Sequence, residues 1–220
     1  VDVRFTNITP VEPLVRNPDS ISDGEKTVIV VGLGRGGTSV VAAVLDALGV
    51  YMGPREELST QGAFESAVFI HGTRQDREAE IARLNELHSI WGWKWPYGAD
   101  LLSDMYAGVR NLHPIFVFRD VVALMQSYAV HANESVDEVA ENLWGRYCNL
   151  YEAAMGTELP ALLVSFERVK MRPVDFVHSV ADFLRLEITS SQVSEAASRV
   201  SFRGGYLIMP DEYTDRRKAK

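Results

Sequence analysis

The chain has 220 residues, 46% of them hydrophobic and 24% charged, with a formal net charge of −8. That length suits one α/β domain with a full core, and the acidic balance argues against broad nucleic-acid binding, which wants a basic face. No stretch approaches the roughly 20 apolar residues that span a bilayer, and a single cysteine, Cys148, excludes an internal disulfide and fits a reducing, cytoplasmic compartment.

Residues 1–26 hold several Pro, Asn, Asp and Ser and predict an irregular lead-in. Val28–Val31 is a continuous β-branched run, the pattern of a strand buried on both faces. A helix is predicted from Thr38 to about Leu48, ended by Gly49. After a loop over 53–63, residues 64–90 read as helical, with Ile81, Leu84 and Leu87 on one stripe. "WGWKWPY" breaks that pattern as an extended stretch. Its alternating Trp91, Trp93, Trp95 and Tyr97 suit either core packing or a flat wall for a ring.

A weak helix near 100–110 precedes a second apolar strand, Ile115–Phe118, closed by Arg119-Asp120. A helix follows to about Tyr128, then a long one over Glu134–Met155. Ala161–Phe166 is a third strand. Pro173 opens a helix that ends near Leu184, and Ser191–Val200 is a short last helix. The order predicts a three-layer α/β/α domain with a mostly parallel central sheet. Such sheets bind ligands at the carboxyl ends of their strands, where Arg35 and Arg119 both fall.

The loop after the first strand satisfies two patterns. Gly32-Leu33-Gly34-Arg35-Gly36-Gly37 spells G-x-G-x-x-G, but no acidic residue at the end of a second strand follows it to hold a ribose. Gly32 through Ser39 also spells a P-loop in which Thr38 stands where the lysine belongs. Backbone N–H groups of such a loop curl round a phosphate at a helix N-terminus. With the lysine missing and arginines at hand, the pattern predicts a phosphate site that works without Mg²⁺. The five histidines show no metal-ligand spacing, so no metal is expected.

"VIVVGLGRGGTSVV" resembles the 5′-phosphosulfate-binding loop of sulfotransferases, and "PIFVFRDVVALMQSY" is similar to their 3′-phosphate-binding segment, with Arg119 and Ser127 eight residues apart. "LLVSFERV" and the helix after Pro173 resemble the Tyr-Glu-Asp-Leu stretch and its following helix, and "WGWKWP" resembles the Lys-x-Pro segment of bacterial members. The resemblance implies the P-loop-like sulfotransferase fold. It also implies 3′-phosphoadenosine 5′-phosphosulfate (PAPS) as sulfuryl donor, with adenosine 3′,5′-bisphosphate as product. Arg35, Gly36, Gly37, Thr38 and Ser39 would then hold the 5′ end, and Arg119 and Ser127 the 3′-phosphate. Gly36 replaces the usual loop serine. Phe202-Arg203-Gly204-Gly205 echoes the late Arg-Lys-Gly motif, which would add Arg203 and Gly204 to the nucleotide site.

Sulfuryl transfer is an in-line displacement in which negative charge grows on the bridging oxygen, so cations there favour the transition state. Arg35 and Lys94 are the candidates. The family histidine of the Lys-x-His-x-Pro stretch is absent. Glu65 resembles the acidic position after the first helix in bacterial members, and is the expected base for a hydroxyl or amine acceptor, a small molecule or a carbohydrate. The plainer roles are a helix cap for Glu65 and an exposed loop charge for Lys94. His71 and His131 are rival bases, Arg74 and Arg77 are expected in solvent, and Cys148 is expected as a small buried apolar group. A kinase using ATP and Mg²⁺, or a nucleotide-binding domain without turnover, are the competing functions.

Overall fold

The computed structural model describes residues 13–54, 64–101 and 108–200. Its elements are β1 (Leu14–Arg16), β2 (Lys26–Gly32), α1 (Thr38–Ala47), α2 (Ala67–His71), α3 (Arg74–Leu87) and β3 (Ile90–Pro96). They continue with β4 (Leu112–Phe118), α4 (Val121–Ala132), α5 (Val136–Gly156), β5 (Ala161–Ser165), α6 (Phe166–Met171), α7 (Pro173–Leu184) and α8 (Ser190–Val200). The five strands form one sheet in the order β1-β5-β4-β2-β3. β2 runs parallel to β3 and β4, β4 runs parallel to β5, and only β1 is antiparallel.

The pleat of β2 explains the layers. Val28 and Val30 pack with α1, α7 and α8, while Ile29 and Val31 pack with residues of α2 to α5 such as Phe69, Leu84, Leu124 and Leu143. Every residue of β2 is buried, as its β-branched run requires of a central strand. The crossovers put helices on both faces and leave the carboxyl ends of β2, β3 and β4 together at one edge of the layer.

Three stretches differ from the sequence expectation. The lead-in contains β1, whose Leu14 and Arg16 register against Leu163 and Ala161 of β5. The helical stretch over 64–90 is two helices broken at Gly72, with α3 starting behind a Thr73–Asp76 capping box. The "WGWKWP" stretch is the edge strand β3. Its tryptophans settle as core: Trp91 and Trp93 are at most 1% exposed, and Phe69 stacks on both rings. Such aromatic pairs add about 0.5–1.5 kcal/mol each beyond area burial. With the tryptophans on one face, Gly92 and Lys94 take the other. Of the weak helix near 100–110, only a 3₁₀ turn over Gly98–Leu101 and residues from 108 onward lie within the described residues.

Candidate functional site

The loop between β2 and α1 is shaped by its glycines. Gly36 N–H donates to the Leu33 carbonyl at 2.9 Å and closes a turn. Arg35 sits in the left-handed region at φ 59°, and Gly37 follows at φ 94° as the N-cap of α1. A Cβ on Gly37 would lie 2.1 Å from the Phe166 ring, so no other residue fits there. α3, α4 and α5 begin with side-chain caps from Thr73, Asp120 and Ser135, whereas α1 has no capping side chain and no acid in its first turn. Val40 and Val41 N–H reach the Gly37 carbonyl, but no side chain caps the amides before them, and the positive end of the helix dipole faces the loop.

On one side of the loop stands a buried charge cluster. Lys94 is 3% exposed. Its Nζ donates to Glu65 Oε1 at 2.7 Å and to Ser39 Oγ at 3.0 Å. Backbone geometry sets this up, because Lys94 N–H donates to the Phe64 carbonyl at 2.8 Å and Phe64 adopts φ 71°. Glu65 is thereby delivered beside the lysine. Burial lowers the Lys94 pKa, and the Glu65 carboxylate works against that shift. Glu65 is not the cap of α2; the Ser66 side chain fills that role by accepting from Phe69 N–H. Lys94 is not an exposed loop charge. Glu65 and Ser66 also line a small pocket walled by Met52, Phe64, Val68 and Trp93.

On the other side lie the residues from the end of β4. Arg119 Nη1 donates to the Arg35 carbonyl at 2.6 Å, and its guanidinium stands 5.7 Å from the Phe166 ring centre. Asp120 does not pair with it; that carboxylate caps α4 by accepting from Ala123 N–H at 2.8 Å. Glu167 accepts from Asp120 N–H at 3.1 Å and so ties the end of β5 to the end of β4. Arg35 Nε donates to Ser127 Oγ at 3.4 Å. Loop, β4 end and α4 thus meet through Arg35, Arg119 and Ser127.

The predicted residues Arg35, Gly36, Gly37, Thr38, Ser39, Glu65, Lys94, Arg119 and Ser127 therefore fall around one loop. Arg203 and Gly204 lie outside the described residues, as do most of the 53–63 loop and the tail. The rival bases stand apart: His71 and His131 are exposed in the last turns of α2 and α4. Arg74 pairs with Glu78 on the surface, but Arg77 is half-buried with its guanidinium 5.9 Å from the Trp95 ring, which corrects its placement in solvent. Cys148 is half-buried rather than buried. The sequence reading missed Tyr128 and Arg146, which lie next to this site. Only their seats on helices that follow β4 could have signalled them.

No family model matches the chain, and no curated protein matches it in sequence. Its fold does match solved structures. The sulfotransferase domain of the Synechococcus PCC 7002 olefin synthase aligns with a TM-score of 0.59 at 15% identity, over 91% of each chain. Sulfotransferase STF1 from Mycobacterium tuberculosis H37Rv aligns at 0.58 and 14%, covering 84% of this chain and 74% of that one. Mouse sulfotransferase SULT7A1, complexed with PAP, aligns at 0.53 and 15%, over 84% and 68%. The chain has the P-loop-like sulfotransferase fold. No helix among the described residues is long and apolar enough to cross a membrane.

Proposed function

We propose that the protein is a sulfotransferase that moves a sulfuryl group from 3′-phosphoadenosine 5′-phosphosulfate to a hydroxyl or amine of an acceptor. The observation that carries this reading is the buried Glu65–Lys94–Ser39 cluster set against an uncapped helix end. An acid, a cation and a hydroxyl stand together there, beside amides suited to an anion. The mouse neighbour solved with PAP, the desulfated nucleotide, supports the choice of donor.

The loop amides from Gly34 to Ser39 hold the 5′-phosphosulfate, and Arg119 and Ser127 hold the 3′-phosphate. Arg203 and Gly204 of the late motif are assigned to the same nucleotide. The acceptor enters by the pocket beside Glu65, which takes its proton as the new bond from the acceptor oxygen or nitrogen to sulfur forms. The bridging S–O bond breaks with its electron pair on the departing phosphate oxygen. Lys94 and Arg35 supply positive charge against the negative charge that this oxygen gains as the bond opens. The Lys94 ion pair also keeps Glu65 oriented. Thr38 in place of a P-loop lysine stands against ATP as the substrate.

Arg119→Ala tests the assignment of the two nucleotide ends. Its loss of affinity for adenosine 3′,5′-bisphosphate is expected to be about 10- to 100-fold, the worth of a charge-assisted contact. Adenosine 5′-phosphate, which has a 3′-hydroxyl, is expected to lose far less. Equal losses for both nucleotides would sink the assignment.

A further inference from the structure

Two tyrosines close over the loop from opposite sides. Tyr97 follows β3 and Tyr128 lies on α4, and their hydroxyls are hydrogen-bonded to each other. Both hydroxyls rest on Gly34: a Cβ there would lie 2.5 Å from the Tyr128 oxygen and 2.6 Å from the Tyr97 oxygen. Tyr97 reaches this position through a left-handed backbone, φ 69°, a costly conformation for an aromatic residue. Its N–H donates to the Gly32 carbonyl at 2.9 Å, which pins it to the start of the loop. The Arg146 guanidinium of α5 stands 4.7 Å from the centre of the Tyr97 ring. Tyr128 adjoins Ser127, which already accepts from Arg35. Tyr97 nonetheless keeps 37% of its surface exposed.

Two hydroxyls that face each other share one hydrogen, so one of their two protons is left without use in the pair. An anion oxygen seated over the loop would accept from both. We propose that Tyr97 and Tyr128 are a paired donor for the 5′-phosphate end of the nucleotide, turning from each other onto its non-bridging oxygens when it binds. This inference rests on the nucleotide reading given above. Arg146 serves as a positioning residue behind it, holding the Tyr97 ring by a cation–π contact. Burial raises the Tyr97 pKa, while Arg146 and the Gly34 N–H pull it down, so the phenol remains protonated and able to donate at neutral pH.

The test is calorimetric titration of wild type, Tyr97→Phe, Tyr128→Phe and the double variant with two ligands, adenosine 3′,5′-bisphosphate and adenosine 3′-monophosphate, in metal-free buffer. Phenylalanine keeps the ring, its packing and the Arg146 contact, and a thermal melt of each variant checks folding. Each single variant is expected to lose about tenfold in affinity for the bisphosphate, as for a hydrogen bond to a charged group, and at most about twofold for the 3′-monophosphate. A purely structural role would weaken both ligands alike, and that result, or an unchanged bisphosphate affinity, overturns the proposal. If wild type itself binds neither ligand, the nucleotide reading fails and takes this inference with it. Failure confined to the variants leaves that reading intact.

Discussion

Two lysines sit on neighbouring strands at opposite ends of the sheet, and both are buried: Lys26 at the start of β2 is 1% exposed and Lys94 near the end of β3 is 3% exposed. Burial lowers the pKa of each. Their partners separate them. Lys26 Nζ donates to two backbone carbonyls, Leu184 at 2.8 Å and Ser22 at 3.0 Å, and so closes the C-terminal end of α7. Lys94 donates to a carboxylate and a hydroxyl, two groups that can take part in chemistry. A buried cation spent on carbonyls fastens chain to chain. A buried cation spent on side chains at an uncapped helix end builds a site.

Substitutions at the two ends are expected to act on different observables. The largest effect is expected for Glu65→Gln, which keeps nucleotide affinity while turnover falls about 10²- to 10⁴-fold, the usual worth of a general base. Unchanged turnover, measured by release of adenosine 3′,5′-bisphosphate from the phosphosulfate, would move the base elsewhere. Lys94→Met is expected to lower turnover about 10²- to 10³-fold, as for loss of one donor to developing charge. A variant that melts early yet turns over normally once folded would make Lys94 a second Lys26. Lys26→Met should show the reverse. Leaving the Leu184 carbonyl without its donor costs about 1–3 kcal/mol, read by denaturant unfolding, and nucleotide affinity should stay at the wild-type value.

The smallest effect concerns His113, beside Lys26 at the same end. It is 1% exposed, and its pKa is lowered first by burial and then by Lys26, while the Asn111 carbonyl opposes. The folded chain therefore holds this ring neutral at a pH where the unfolded chain protonates it. Below about pH 6.5 the unfolded state binds more protons, so stability falls with falling pH, by at most about 1.4 kcal/mol per pH unit, until the folded pKa is passed. Thermal midpoints from pH 8 to 5 should drop more steeply for wild type than for His113→Leu. Parallel curves would assign the slope to other groups.

Much of this was legible in the chain. The β-branched run of β2, the glycine loop and the Arg119–Ser127 spacing stand out because each has a strong local cause: two-faced burial, a positive φ, a strand end. The same holds for α7 behind Pro173. What escaped was set by distant partners. β1 is three residues long and exists through its pairing with β5. β3 carries a glycine and a lysine among its tryptophans, and only its place beside β2 makes it a strand. The Lys-x-Pro resemblance singles out Lys94, but its burial comes from the fold, which brings Ser39 and Glu65 to it from 55 and 29 residues away. The break at Gly72 was missed because the charged residues around it suit a surface helix on either side.

The measurement that bears most directly on the central claim is a calorimetric titration of the protein with adenosine 3′,5′-bisphosphate in metal-free buffer, run beside ATP with Mg²⁺. The account predicts binding of the bisphosphate without metal and little or none of ATP with Mg²⁺. Binding of ATP with Mg²⁺ and not of the bisphosphate would contradict it, and would place a kinase-like chemistry on this loop.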